Sequence, residues 1–140
     1  MSVSKIDRET AEMEFDDWCE SWEIDSETSD MKEDEKNDFN TQKNKIVKAI
    51  MKGRLIVNDE KNIEYYFAHP ELARNIQSVI IKRPNGQALM SMDKYAEKES
   101  VHKMYSIISG MTEKEVSFFG NIDGIDMKVF QAVAVLFLAS

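Results

Sequence analysis

Few side chains of the kind that perform chemistry occur in this chain, which has one cysteine, Cys19, and two histidines, His69 and His102. A nucleophilic cysteine needs a base beside it, and no local signature places either histidine next to Cys19. The histidines are 33 positions apart, and neither belongs to an H-x-x-x-H pair or a cysteine cluster. We therefore expect no catalytic residue, no metal site and no cofactor, and interpret the chain as a non-enzymatic protein.

Carboxylates are the most abundant candidate ligands. The acidic runs 14–17 and 25–30 lack the alternating oxygen ligands around a glycine that a calcium loop requires. The segment 121–126 carries two carboxylates among apolar residues, which favours a turn and a helix cap over a metal loop. None of the five glycines forms a phosphate-binding loop. We interpret the acidic runs as a solvated face, with docking on a partner and cation binding as the alternatives.

Charge is distributed unevenly along the chain. The formal net charge is -8, but residues 1–40 carry 15 acidic and 4 basic side chains, whereas residues 41–140 carry 11 and 14. An acidic protein is repelled by nucleic acid and by anionic membranes, so we expect a protein partner instead. The basic residues between positions 43 and 54, followed by aromatic residues at 65–67, keep single-strand binding as an alternative. Pairing of these lysines with the acidic segment of the same chain, or simple solvation, is the simpler explanation of the same residues.

Size and composition are those of one small domain. The 140 residues, of which 42% are hydrophobic, suffice for one core. A single cysteine excludes an intramolecular disulfide, and the first residues lack the apolar run of a secretory signal, so the expected location is the cytoplasm. The most apolar stretch, 129–139, is shorter than the roughly 20 residues that cross a bilayer, so no membrane association is expected.

The N-terminal third of the chain is predicted to be helical. Apolar residues at three- and four-residue spacing predict a helix over 8–22, and the polar stretch 23–30 predicts a loop. A second helix is predicted over 31–52, ended by Gly53. Acids stand at its start and lysines at its end, as the helix macrodipole favours.

A small sheet is predicted in the middle of the chain. Two β-prone runs, 54–57 and 63–67, are separated by the polar loop 58–62 and predict a hairpin. A third strand is predicted over 78–82. Three strands packed on a helix are enough for a stable sheet.

The remainder of the chain is predicted to be helical. The turn signal at 84–86 precedes a short helix over 88–95 and a longer helix over 97–109. Thr112 and Glu115 have the spacing of a capping box ahead of another short helix. Asp126 is predicted to be the N-cap of the last helix.

The last helix, predicted over 127–138, is apolar on every side. A helix with one face in water is amphipathic, so this one must be buried all round. It is either the central helix of the core or partly buried against another subunit or a client protein.

Together these elements predict an α+β fold with N-terminal acidic helices, a small antiparallel three-stranded sheet and a C-terminal helical cluster. We expect residues 1–30 to form an acidic N-terminal arm. Residues 31–140 are expected to form a single α+β domain.

The order of elements in the C-terminal half resembles a known family. An apolar strand runs into 83–86, a helix ends at 107–112, a short helix carries Val116 and Phe119, and a final helix ends at Leu138. In this order the chain from Val79 onward resembles the tail assembly chaperones of Mu-like contractile-tailed phages, often called tail assembly protein E. The long acidic start departs from the usual form of that family.

The resemblance implies a protein that binds the tape measure protein during tail assembly and helps recruit tail tube subunits, in the cytoplasm of the bacterial host. Apolar C-terminal residues would contact the client or sister subunits in a homo-oligomer. The aromatic stripe of the first helix is a further expected partner surface. The expected partner-binding residues are Phe15, Trp18, Trp22, Phe118, Phe119, Val129, Phe130, Val133 and Phe137.

Two other functions stay open at the level of sequence. One alternative is a structural component of a phage particle or of another multisubunit assembly, which, unlike a chaperone, remains in the finished particle. The other is an acidic regulator that binds a basic protein. Its binding should depend strongly on salt, because exposed charges are screened over about 8 Å at physiological ionic strength.

Overall fold

The structure is a computed structural model that describes residues 6–93 and 100–139. In chain order the elements are α1 (Arg8–Ser21), α2 (Glu33–Met51), β1 (Leu55–Val57), β2 (Ile63–Tyr66), a 3₁₀ turn (Pro70–Leu72), β3 (Ser78–Ile81), α3 (Gly86–Met92), α4 (Ser100–Thr112), α5 (Val116–Asn121) and α6 (Gly124–Leu138). The predicted α+β class, with helices at both ends of the chain around a small sheet, is confirmed.

The three strands form an antiparallel sheet in the order β1-β2-β3. Tyr65 lies opposite Leu55 on one side and Val79 on the other, and Ile63 lies opposite Ile81. All five of these side chains are buried, because alternate residues of neighbouring strands share one face of a sheet. The predicted hairpin and third strand are confirmed, and this face supplies one wall of the core.

Helix α1 is packed against α2 through the predicted apolar stripe. Asp7 caps the helix, since its carboxylate accepts a hydrogen bond from the Thr10 backbone N–H at 2.9 Å. On the neighbouring surface the Lys43 ammonium lies 3.4 Å from the Glu12 carboxylate. The stripe belongs to the same buried cluster as the sheet and α6, so residues 8–24, expected in an arm, pack on the core.

The lysine-rich part of α2 does not meet an aromatic platform for single-stranded nucleic acid. Tyr65 and Phe67, which follow it in sequence, are buried, and only Tyr66 is half-buried. Lys43 is instead paired with Glu12 and lies 5.6 Å from the centre of the Phe15 ring. Pairing between the two helices therefore accounts for this lysine.

Helix α6 is the central helix of the core, and it packs against α2 and α4. Ala132, Val133 and Ala134 are completely inaccessible to solvent. Three consecutive inaccessible residues point in three directions around a helix, so α6 is covered on most of its circumference. The sequence is compatible with burial of this helix in the core or against another molecule. The structure shows that the chain itself buries most of it.

Both predicted helix caps near the C-terminus are wrong. Asp123 caps α6 by accepting a hydrogen bond from the Ile125 backbone N–H at 2.8 Å, whereas Asp126 lies inside the first turn. Thr112 is the last residue of α4, and its hydroxyl donates to the Ile108 carbonyl at 2.9 Å. No capping box therefore forms between Thr112 and Glu115.

Helices α3 and α4 cross at close range. Asn85 caps α3 through a 2.9 Å bond from the Ala88 backbone N–H. A Cβ atom placed on Gly110 of α4 would lie 2.6 Å from the Ala88 Cβ, so the absence of a side chain permits the approach. The parts of the predicted helices at 94–95 and 97–99 lie outside the described residues.

No helix in the described part of the chain is both long enough and apolar enough to span a lipid bilayer.

Candidate protein-binding groove

The nine predicted partner-binding residues lie in the interior of the molecule. Eight of them are less than 9% exposed, and Phe137 is half-buried. They form two internal groups, one beneath α1 and one between the sheet, α5 and α6. No part of the surface brings them together.

The first group is a row of rings on α1. The ring centres of Phe15 and Trp18 are 5.9 Å apart, and those of Trp18 and Trp22 are 5.0 Å apart. Trp22 meets Phe137 edge-to-face at 6.2 Å, and its indole N–H donates to the Lys61 carbonyl at 2.7 Å. These contacts tie α1 to the end of α6 and to the hairpin loop.

The second group surrounds α5 and the middle of α6. Phe119 packs edge-to-face against Phe118 at 5.1 Å and against Phe130 at 5.3 Å. Phe130 in turn meets Tyr65 of the sheet at 5.2 Å. Because both groups are already packed, a partner reaches these side chains only if the core opens, and their contact with a partner stays a prediction.

Asp126 is the most unusual buried residue, since its carboxylate is completely inaccessible to solvent. One oxygen, Oδ1, accepts bonds from the Tyr65 hydroxyl at 2.6 Å and from the Ala68 backbone N–H at 2.7 Å. The other, Oδ2, accepts a bond from the His69 backbone N–H at 3.1 Å. Three donors and the N-terminal turn of α6 compensate the loss of water around the carboxylate. Asp126 therefore fastens α6 to the segment that follows β2.

Tyr65 is held in its neutral form by this arrangement. Burial raises the pKa of its hydroxyl well above the ordinary value, and the hydrogen bond to Asp126 and the charge of that carboxylate act in the same direction. Both residues of the pair are completely inaccessible to solvent. Its geometry supports a structural role.

Cys19 does not have the surroundings of a reactive thiol. It is completely inaccessible, and burial raises its pKa to about 12, with Asp16 adding to the rise and Lys43 opposing it. A thiol with such a pKa is almost entirely protonated at neutral pH and is a poor nucleophile.

The His69 ring lies beside Glu71, with Nδ1 3.2 Å from Oε1, on the exposed 3₁₀ turn.

A groove of about 480 Å³ lies between the α1–α2 connector, the start of α2 and the end of α6. Its floor is apolar. Phe39 and Leu136 form the buried base, Met31 and Val135 are half-buried, and Ala139 is exposed at one end. We call this feature the acidic groove because of its rim.

Among the residues that the structure describes, the rim of the acidic groove carries five carboxylates and no cationic side chain. They come from the connector and from the first turns of α2, and they are Asp25, Glu27, Asp30, Glu35 and Asp38. None of them forms an ion pair with a residue that the structure describes. The Ser29 backbone N–H, which donates to Glu27 Oε1 at 2.9 Å, lowers the pKa of Glu27. The rim is therefore strongly negative at neutral pH.

A second, smaller depression of about 280 Å³ continues the acidic groove along the seam between α2 and α6. The two share Gln42 and Val135. Helix α4 forms the far wall with Val101, Met104 and Tyr105, of which Val101 is 63% exposed. We refer to the two depressions together as the channel, in which apolar side chains alternate with the amides of Gln42 and Gln131. The channel is negative at one end and bordered by a lysine, Lys45, at the other.

Another cleft, of about 530 Å³, lies between the end of β3, α3 and α4, but its character differs. Its lining is mainly polar, and several of its polar groups are already partnered. The Lys82 ammonium lies 3.4 Å from the Glu113 carboxylate, and the Ser91 and Ser106 hydroxyls are 2.9 Å apart. This cleft lacks the predominantly apolar floor of the acidic groove.

The described residues contain no group of three or more His, Cys, Asp or Glu side chains placed to hold a metal ion. The carboxylates of the acidic groove are spread around an apolar floor instead of converging on one point. Sequence patterns identified the acids of 25–38 but not the groove, because its floor requires the end of α6 to lie beside the start of α2. That contact joins positions about a hundred residues apart, and no local pattern reports it.

No protein-family model matches the chain, and no curated protein or solved structure is significantly similar to it.

Proposed function

We propose that this protein is a non-catalytic binding protein that holds a segment of a larger client protein while that client is assembled. The observation that carries the proposal is the acidic groove, where a partly exposed apolar floor lies inside a rim of unpaired carboxylates. A concave apolar surface with a few polar groups at its edge is the usual form of a binding site. When no client is bound, the negative charges of the rim oppose aggregation of the protein through this apolar floor.

The resemblance of the C-terminal half to phage tail assembly chaperones supplies the specific form of the proposal. In that form the client is a tape measure protein, and the chain also helps to recruit tail tube subunits. Copies of the chain associate with one another. A long, partly apolar client needs reversible protection until its partners arrive. An open groove provides this better than a closed core, because binding and release need no unfolding of the chaperone.

The five unpaired carboxylates also favour the second candidate, an acidic regulator of a basic protein. The two functions differ in what drives binding. A regulator that works through charge alone loses affinity steeply as salt rises, whereas a chaperone that also buries apolar surface retains part of its affinity.

The test is co-expression with a tape measure protein of a Mu-like phage, followed by measurement of the mass of the purified material by light scattering. We expect a complex that contains both proteins and keeps the tape measure protein in solution. Recovery of this chain alone at 16.2 kDa, with the tape measure protein insoluble, would overturn the assembly proposal. Recovery of the chain in finished particles would favour the structural alternative.

A further inference from the structure

The acidic groove also specifies the chemistry of its occupant, and this inference rests on the proposed binding function. We infer that the groove takes a basic amphipathic helix of a partner protein. Apolar side chains of that helix would lie on the floor formed by Phe39, Val135 and Leu136. Its lysine or arginine side chains would face the carboxylate rim.

The charge of the rim decides the sign of the partner. Five carboxylates line the groove, and none has a cationic neighbour among the described residues that pairs with it. Some acids elsewhere are paired, as Glu12 is with Lys43, but others such as Asp16 and Asp17 are not, so what distinguishes the rim is that its free carboxylates surround an apolar floor. An incoming cation at the rim therefore gains attraction without first breaking an existing pair. An acidic segment would meet five like charges.

The shape of the channel favours a helix over an extended strand. On α2 the channel runs from Glu35 to Lys45, which is about 15 Å at 1.5 Å per residue and matches nearly three turns of a bound helix. Its walls are the α1–α2 connector and the helices α2, α4 and α6. An extended peptide gains its affinity by adding to a sheet edge, and none of the described residues that line this channel belongs to a strand.

The apolar floor limits what charge alone could bind. Phe39 and Leu136 are buried at its base, while Met31, Val135 and Val101 retain exposed apolar surface along the channel. Covering this surface removes it from water, which stabilises the complex in proportion to the area covered. A flexible polycation without apolar residues does not cover the apolar floor, so it should bind more weakly than an amphipathic helix of equal charge.

The probe for the test is a fluorescent peptide of leucine and lysine, about 14 residues long or roughly 21 Å as a helix, with all leucines on one face. Two control peptides have the same length. One has the same composition in an order that destroys the apolar face, and the other has glutamate in place of lysine. Fluorescence polarisation against the full chain measures the affinities at about 0.15 M salt.

The chain offers a matched pair of variants. The rim variant carries Asp30→Asn, Glu35→Gln and Asp38→Asn, all at exposed positions in the groove. The control variant carries Asp16→Asn, Asp17→Asn and Glu20→Gln, three exposed positions of α1 outside it. Both remove three negative charges, so they change the overall charge of the chain equally. Any difference between them reports the groove itself.

We expect the amphipathic peptide to bind the wild type in the micromolar range, about tenfold more tightly than the scrambled peptide, and the glutamate peptide not to bind. The rim variant should lose at least about tenfold in affinity, and the control variant less than about threefold. Val135→Lys, which puts a cation on the floor, should also lose affinity. Equal losses in the rim and control variants would overturn the inference, because binding would then follow net charge alone.

The client experiment separates this inference from the proposed function. If the tape measure protein co-purifies equally with the wild type and the rim variant, the client binds elsewhere and the inference is wrong while the function stands. If the peptide binds as expected but no complex with the tape measure protein forms, the groove is a helix site and the assigned client is wrong. Thermal unfolding of each variant checks that the fold is retained.

Discussion

The two ends of α6 put carboxylates to opposite uses. At its N-terminal end Asp126 is inaccessible and accepts three hydrogen bonds from Tyr65, Ala68 and His69. At its C-terminal end the helix borders a groove whose five carboxylates are unpaired. The residue type is the same, but the number of donors and the access of water differ.

This difference shows how to tell a structural acid from a recognition acid. A completely buried carboxylate is not accessible to a ligand, and removing it leaves its donors unsatisfied. An exposed and unpaired carboxylate contributes little to stability, yet its charge remains available to a partner. The two ends should therefore respond in opposite ways to substitution, one in stability and the other in binding.

The largest effect is expected for Asp126→Ala, which leaves the Tyr65 hydroxyl and two backbone N–H groups without an acceptor. The free energy of unfolding should fall by about 3–5 kcal/mol, measured by urea denaturation. Asp123→Ala, which removes only the cap of the same helix, is the control and should cost about 1 kcal/mol. If the two costs are equal, the buried network is not what fastens α6 to the sheet.

A smaller loss is expected for Tyr65→Phe, which keeps the ring among its aromatic neighbours and removes one donor to Asp126. We expect the free energy of unfolding near pH 7 to fall by about 1–2 kcal/mol. Affinity of the groove for the leucine-lysine peptide should be unchanged, because the two ends of α6 act separately. A change in that affinity would show that the ends are coupled.

The same variant provides a pH test. The pKa of Tyr65 is raised in the folded state, so above about pH 10 the unfolded chain loses this proton first and stability falls by up to about 1.4 kcal/mol per pH unit. Phenylalanine has no such proton. The stability advantage of the wild type over Tyr65→Phe, present below pH 10, should therefore shrink toward zero near pH 11. If the stability difference between the wild type and Tyr65→Phe stayed constant between about pH 10 and pH 11, the folded state would not hold Tyr65 in its protonated form.

The smallest effect on stability is expected for the rim variant, Asp30→Asn with Glu35→Gln and Asp38→Asn. Its free energy of unfolding should lie within about 0.5 kcal/mol of the wild type, because these side chains are exposed and unpaired. Relief of repulsion between like charges is offset by the loss of the favourable interaction of Glu35 with the N-terminus of α2. A loss as large as that of Asp126→Ala would place the rim among the elements that hold the fold.

The sequence predicts the elements well and the roles of particular acids poorly. Apolar spacing over 8–22 and the β-prone composition of 63–67 report local conformation, and both elements are present. Asp126 was predicted as a cap because it precedes an apolar run, but Asp123 stands one turn earlier and takes that place. Whether an acid is buried or exposed depends on contacts such as that between Tyr65 and Asp126, which are 61 residues apart.

The partner-binding residues illustrate the same limit. The stripe on the first helix predicts a partner surface at Trp18, and the family resemblance implies one at Phe119 and Phe130, whereas the structure buries all three within the chain. Apolar periodicity indicates that one face of a helix is buried. It does not indicate whether the same chain or a partner buries that face. The acidic groove, in contrast, contains few aromatic residues and gives no strong local signal. Only the approach of α6 to the start of α2 creates it.

The most direct measurement is a two-dimensional NMR titration of the isotope-labelled chain with the leucine-lysine peptide. The contrast between the ends of α6 predicts that amide signals shift over 25–42 and 135–139, while those of 65–69 and 123–127 stay in place. Shifts centred on the Asp126 end, or spread evenly over all acidic surfaces, would contradict the assignment of recognition to one end of the helix and of structure to the other.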